Sequence, residues 1–282
     1  MGRCLMACQK PPARQTLTAI HNSEHARNIK IVVATHKPYW MPRDDTYIPL
    51  EVGASMRRDH TDYLHDNIGA NISCKNDTYC ELTGLYWAWK NLHADYKGIV
   101  HYRRHFVSGF PRRIASKRSA ILRQEDYEKI FARSDILLPR KRHYYIETNA
   151  SHYIHAHHKQ DLVTLENVIR EHAPDYLPCF QRQMHRTSAH MFNMMVMRAD
   201  LFDQYAEWLF AILGEVERCT DLTGYTTYER RVYGFLSELL PDVWIERHGY
   251  PYQEAEVAFM EHQNWLKKGA KFLMRKVKGE MK

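Results

Sequence analysis

Ile29-Lys30-Ile31-Val32-Val33-Ala34-Thr35-His36 is the stretch on which the fold turns. It is a β-branched run with Pro38 close behind, and it reads as a buried strand running into a polar loop. Working outward, Gly98 to Tyr102 predicts a second strand, Ile136-Leu137-Leu138 a third that Pro139 stops, Met191 to Met197 a fourth and Val243-Trp244-Ile245 a last short one. Helical patterns fill the gaps. Thr78 and Glu81 have the spacing of a capping box, followed by Leu82, Leu85, Tyr86 and Trp89 at helical period. Further helices are expected near 125–133, over 159–172, from about Asp200 to Glu217 with Asp200 as cap, and over about 226–240 before Pro241. Residues 41–75 read as loop, 112–118 as a basic loop, and 140–158 as a His- and Tyr-rich segment without apolar period. Strands alternating with helices predict an α/β domain with a mixed, mainly parallel sheet flanked by helices. No internal repeat is present.

Three regions follow from this reading. Residues 1–28 are polar, contain Pro11-Pro12 and form a loose N-terminal extension. Residues 29–250 form the domain. Residues 251–282 form a basic tail in which Lys267, Lys268, Lys271, Arg275, Lys276 and Lys278 alternate with Leu266, Phe272, Leu273 and Val277, the pattern of an amphipathic helix on an anionic membrane surface.

The balance of charge, +7, points to an anionic partner. The 18 tyrosines offer flat apolar faces with a polar tip, which suit sugars and bases as well as core edges. The six cysteines contain no CxxC pair and no signal peptide precedes them, so reduced thiols in the cytoplasm are expected. No apolar run approaches the roughly 20 residues that span a bilayer, which leaves peripheral contact with the inner face of the plasma membrane as the membrane reading.

In open α/β sheets ligands bind beyond the carboxyl ends of strands. Three such places stand out: Thr35-His36-Lys37, His101-Tyr102-Arg103-Arg104, and the polar Asn193 inside an apolar run. Guanidinium forks match phosphate oxygens in pairs, so Arg103 and Arg104 suit a diphosphate; surface arginines at a strand end have the same residue types. His152, His155 and His158 are three apart and would share a helix face, which raises a metal site and a metal-dependent hydrolase as an alternative. No HExxH accompanies them, and a polar wall around a substrate is the preferred reading. A basic nucleic-acid-binding protein is the other rival. Its weakness is that the positive charge is spread along the chain and no nucleic-acid motif occurs, so no nucleic-acid partner is expected.

Several ordered blocks then carry a family resemblance. They are Val33-Ala34-Thr35-His36-Lys37, Val52-Gly53-Ala54, Asp66-Asn67-Ile68-Gly69 with Asn71-Ile72-Ser73, and Tyr79-Cys80-Glu81-Leu82-Thr83-Gly84 with Tyr86-Trp87-Ala88-Trp89-Lys90-Asn91. They continue with Gly98-Ile99-Val100-His101-Tyr102-Arg103-Arg104, Asn193-Met194 and Arg231 through Leu240. With these blocks the chain resembles the domain-of-unknown-function 4422 family, found in bacterial capsule and exopolysaccharide gene sets and regarded as glycosyltransferases. The resemblance implies a GT-A-like nucleotide-diphospho-sugar transferase fold. It implies a UDP-sugar donor, galactofuranose or galactose among the candidates, and a lipid-linked glycan acceptor in capsule, exopolysaccharide or O-antigen synthesis.

Placed on this frame, Thr35, His36 and Lys37 line the nucleotide site and Arg103 and Arg104 bind phosphate. Asp66, Asn67, Asn71, Lys90, His101, Tyr102 and Asn193 complete the expected donor-binding set. Glu238 is the first candidate for the base that deprotonates the acceptor hydroxyl, with Asp161 and Glu81 behind it. Many such enzymes end a strand in Asp-x-Asp, which holds a divalent cation, Mn or Mg, on the donor diphosphate. This chain has His101-Tyr102-Arg103-Arg104 there. Either the arginines replace the cation, or His101 contributes to a metal with a more distant carboxylate.

Overall fold

The computed structural model describes residues 26–109 and 114–261. The opening run forms β1 (Ile29–Thr35), buried along its length except at Lys30. Successive strand side chains face opposite ways. Val32 and Ala34 enter one core, while Ile29, Ile31 and Val33 enter another on the opposite face. A run without polar alternation is what a sheet covered on both faces requires.

In chain order the other strands are β2 (Tyr47–Glu51), β3 (Leu64–His65), β4 (Tyr96–His101), β5 (Arg104–Val107), β6 (Ile136–Pro139), β7 (Arg142–His143), β8 (Ser188–Ala189), β9 (Met195–Arg198) and β10 (Gln253–Phe259). The helices are α1 (Asn76–Tyr79), α2 (Leu82–Asn91), α3 (Ile114–Ser119), α4 (Gln124–Phe131), α5 (Asn149–Ala156), α6 (Lys159–His172), α7 (Leu177–His185), α8 (Ala199–Cys219), α9 (Val232–Ser237) and α10 (Leu240–His248). The larger core packs α2, α6, α8, α9 and α10 on one face of the sheet. The smaller one seats Tyr127 and Phe131 of α4 on the other.

The main sheet runs β3-β2-β1-β4-β5-β10-β6-β9, and β9 returns to pair with β4. β4 changes partner along its length: Tyr96 to Ile99 pair with β9, and His101 pairs with Arg104 of β5. The pairs β1–β2, β1–β4, β2–β3 and β6–β10 are parallel. β4–β5, β5–β10, β4–β9 and β6–β9 are antiparallel. The expected mainly parallel sheet is therefore parallel from β3 to β4 and mixed beyond, with β6–β10 the parallel pair there; β5 follows β4 through a tight turn instead of a helical crossover.

Other expectations change as well. Residues 41–75 contain β2 and β3. The segment 112–118 includes the start of α3. Cys80 has φ 54°, so the chain breaks between α1 and α2, and Thr78 and Glu81 form no capping box. The hydroxyl of Thr78 donates to the Lys75 carbonyl at 3.1 Å. Arg198, not Asp200, is the residue before α8. The helix expected over 226–240 is shorter, and Val243-Trp244-Ile245 lies inside α10, buried as a helix face.

The domain also runs past residue 250, since β10 pairs with both β5 and β6. At its start, Arg27 is tied to Glu128 through its backbone N–H and its guanidinium, both at 2.7 Å. The rest of the N-terminal extension and the amphipathic segment from Trp265 onward lie outside the described residues. No described helix is long and apolar enough to cross a membrane. Among the described residues Cys74, Cys80, Cys179 and Cys219 are free thiols.

At Gly98 the backbone of β4 lies close against β9. A Cβ there would meet the Met195 carbonyl oxygen and a methyl of Val196, each at 2.7 Å. Backbone cannot yield as a side-chain tip can, so Gly98→Ala should destabilise the fold by about 1–3 kcal/mol. Urea unfolding followed by circular dichroism measures it.

Candidate active site

A crevice of about 910 Å³ opens beyond the carboxyl ends of β1 and β4. From β1 the sheet extends to β2 on one side and to β4 on the other, the switch point at which open α/β sheets bind ligands. A hollow of equal volume beside α6 and α7, lined by Leu162, Glu166, Phe180 and Arg182 among others, lies away from these strand ends.

The floor of the crevice is built on strained backbone. Phe192 and Asn193 have φ 81° and 50°, and Cys80 has φ 54°. Asn193, only 2% exposed, donates from Nδ2 to Glu81 Oε1 at 2.8 Å and to the Gly234 carbonyl at 3.1 Å, and accepts from Ser237 Oγ at 2.9 Å. That one side chain ties the α1–α2 junction and α9 to the strand edge. The Phe192 N–H donates to Glu238 Oε1 at 3.2 Å, and its carbonyl lies 2.5 Å from His101 Nε2. Glu81, His101 and Glu238 thus meet around one strained dipeptide.

Charge on the walls is opposite to that on the floor. Arg57, Arg103, Arg104, Arg142 and Arg231 all line the crevice. Arg104 lies 4.5 Å over the Phe192 ring, and burial lowers its pKa. Arg231 donates from Nε to Cys80 Sγ at 3.1 Å. Arg57 donates to the His36 carbonyl. Tyr144 stacks on His152 at 3.9 Å beneath Arg142, and His157 on Phe235 at 4.1 Å beside Arg231.

Burial raises the pKa of Glu238 to about 7, the nearby Glu81 adds to the rise, and Arg104 opposes it. Burial lowers the pKa of His101, while Glu81 draws it the other way. His36 is lowered by burial and by Arg57 and Lys37.

Of the residues expected from sequence, Thr35, His36, Glu81, His101, Tyr102, Arg103, Arg104 and Glu238 line the crevice. Others do not. Asp66 is fully buried and accepts from Gly53 N at 2.8 Å, Ala54 N at 3.0 Å and the Ser73 hydroxyl; it braces a loop. Asn71 closes a turn on the carbonyls of Asn67 and Gly69. Lys90 lies 3.3 Å over the Trp89 ring on α2. Asp161 is buried against the Tyr225 hydroxyl at 2.7 Å. Lys37 sits over the Tyr102 ring at 5.4 Å, beside the crevice. Asn193 shapes the floor from beneath.

The sequence reading missed Arg57, Arg142, Tyr144, Arg231, Tyr228 and Phe235 as lining residues. Arg231 and Phe235 were visible within a matched block and Tyr228 within the helix expected over about 226–240, whereas Arg57, Arg142 and Tyr144 come from segments with no periodic signal. His152 and His157 form part of the expected polar wall. His152 and His155 both reach Glu147, at 2.9 and 2.8 Å, whereas His158 faces Glu229 at 3.1 Å, so the three do not converge on a metal. Nor does the crevice fit a protein-held divalent cation. Its two floor carboxylates each carry a hydrogen-bond donor, five arginines surround them, and no group of three ligands forms there among the described residues.

A carboxyl whose folded pKa is raised stabilises the fold below its unfolded pKa, near 4.5, and loses that contribution as pH rises through about 7. Glu238→Gln, which stays neutral, should therefore exceed the wild type in stability at pH 8 by about 1–3 kcal/mol, allowing for partial solvent access. The difference should vanish at pH 4.5, as paired urea titrations would read.

Residues 30–249 match the family model described as a domain of unknown function, DUF4422. No curated protein matches the chain. Among solved structures the chain is similar to one titled "WbbM bifunctional glycosytransferase apo structure", at 30% sequence identity and TM-score 0.78. The match covers 83% of this chain and 46% of that one, so the likeness spans about half of the larger protein. With 220 of the 282 residues of the chain, and the crevice-lining residues among them, inside the matched segment, the chain belongs to the DUF4422 family.

Proposed function

We propose that the chain is a glycosyltransferase that moves a sugar, galactofuranose or galactose among the candidates, from a UDP-linked donor to a lipid-linked glycan. The observation that carries this reading is a floor carboxylate, Glu238, facing an arginine-lined crevice at the sheet's switch point. The likeness to a chain titled a bifunctional glycosyltransferase supports the reaction class. A GT-A-like arrangement, with Thr35 and His36 toward the nucleotide, is consistent with the parallel half of the sheet.

In this mechanism Glu238 takes the proton from the acceptor hydroxyl as its oxygen bonds to the anomeric carbon. The bond from that carbon to the donor phosphate breaks, and its electron pair leaves with UDP. Arg103, Arg104 and Arg231 hold the diphosphate, and fixed positive charge in a partly dry site stabilises the developing anion without reorganisation. Glu81 and Asn193 hold the floor in place, and His101 is kept largely neutral by burial.

The acceptor side is supported by the rim between β7 and α5, where Tyr145 and Ile146 are 87% and 83% exposed beside Arg142. Exposed apolar tips next to cations suit an anionic membrane or a lipid-linked substrate. A nucleic-acid reading is weaker, because these arginines line an enclosed crevice instead of an open stripe.

Purified protein incubated with a panel of UDP-sugars and a lipid-linked acceptor should release UDP with one donor, and added Mg or Mn ions should leave the rate unaltered. Activity should rise with pH through about 7 as Glu238 ionises. Glu238→Gln should abolish turnover in a folded protein, and Arg104→Ala should lower kcat/KM by about 10²–10³-fold. A panel with no UDP release would overturn the assignment.

A further inference from the structure

Glu51 ends β2, His65 ends β3, and the two are register partners in a parallel pair. The intervening loop returns His60 to the same point. Its Nδ1 lies 3.4 Å from Glu51 Oε1, and His65 Nε2 lies 3.8 Å from Glu51 Oε2. The two imidazoles are tilted by 33° with centroids 4.7 Å apart. All three donor atoms lie within 4.8 Å of one another.

We infer that Glu51, His60 and His65 form a binding site for a transition-metal ion of the zinc type, separate from the crevice and independent of the proposed reaction. Two imidazoles and one carboxylate are the ligand types such ions take. A tetrahedral ion with bonds of about 2.0–2.1 Å holds its ligands about 3.3–3.4 Å apart, a spacing His60 and Glu51 already have. To bind the ion His65 carries its proton on Nδ1, and its Nε2 gives up the hydrogen bond to the Thr61 carbonyl, now at 3.0 Å, and turns to the ion beside Glu51.

Supporting contacts are in place around the carboxylate. Glu51 is buried at 1% exposure, yet both histidines reach solvent, which gives an ion a path in. The Thr61 N–H and hydroxyl fix Glu51 Oε2 at 2.6 and 2.7 Å, the outer-shell bracing that metal carboxylates usually have. Arg57 has its Nε 3.9 Å from Oε1, beyond hydrogen-bond length, and donates instead to the His36 carbonyl. Because Arg57 leaves the same loop for the crevice wall, the ion would fasten the segment that presents it.

Untagged, chelator-treated protein titrated with zinc ions by calorimetry should bind one ion tightly. Cobalt ions should give the intense visible bands of a tetrahedral site. With 18 histidines in the chain, the informative readout is the difference between variants. Outer-shell changes alone weaken metal sites by about 10–100-fold, so loss of a ligand in His60→Ala should weaken binding by at least about tenfold, and His60→Ala with His65→Ala should remove both the tight site and the cobalt bands. His60 lies in an exposed loop, so its single variant should keep the native circular dichroism spectrum. Equal affinity and stoichiometry in wild type and His60→Ala, or no tight binding by the wild type, would refute the site.

Discussion

The side-chain amide of Asn193 is the contact on which the site depends. It sits beneath the crevice and bonds Glu81, the Gly234 carbonyl and Ser237 at once. These partners belong to the α1–α2 junction and to α9, so one buried group sets the positions of elements far apart in sequence. The arrangement has a cost: a left-handed phenylalanine at 192 is strained by about 1–3 kcal/mol. Three hydrogen bonds in a dry setting offset it. Turning the backbone this way aims the Phe192 N–H at Glu238 and its carbonyl at His101.

Electrostatic character follows from that geometry. Burial disfavours the charge of Glu238, and Glu81 on the same floor acts in the same direction. The arginines above oppose this only in part, which leaves Glu238 poised near neutrality. A base with such a pKa is half ionised near neutral pH, the condition under which proton transfer is most efficient. In the proposed mechanism the same arginines also meet the departing diphosphate, so one charge pattern would serve both base and leaving group.

Matched sequence blocks and contact with the crevice are different things. Asp66 and Asn71 lie in such blocks, yet they brace and close loops. Lys90 in the helix block lies against Trp89. In contrast, Arg57, Arg142 and Tyr144 reach the crevice from segments whose sequence shows no period. A short polar residue in a loop carries the same letter whether it binds a backbone amide or a ligand, and only its neighbours distinguish the two. Glu81 illustrates this: its spacing from Thr78 suggested a cap, but the left-handed Cys80 turns its carboxylate to Asn193.

What the chain determined by itself was local. The unbroken apolar run of β1 requires cover on both faces, and with the alternating helices this makes the α/β class legible. His101 to Arg104 stood out as a strand end, where such sheets bind ligands, whereas Glu238 stood out only by its place on a late helix in a block of the family resemblance. Tertiary structure alone decided that the sheet is mixed beyond β4 and that residues 253–259 belong to it, since pairing direction depends on partners distant in sequence. It alone also joined Glu81, His101, Asn193 and Glu238, whose meeting rests on three positive-φ residues, Cys80, Phe192 and Asn193, that side-chain periodicity cannot report.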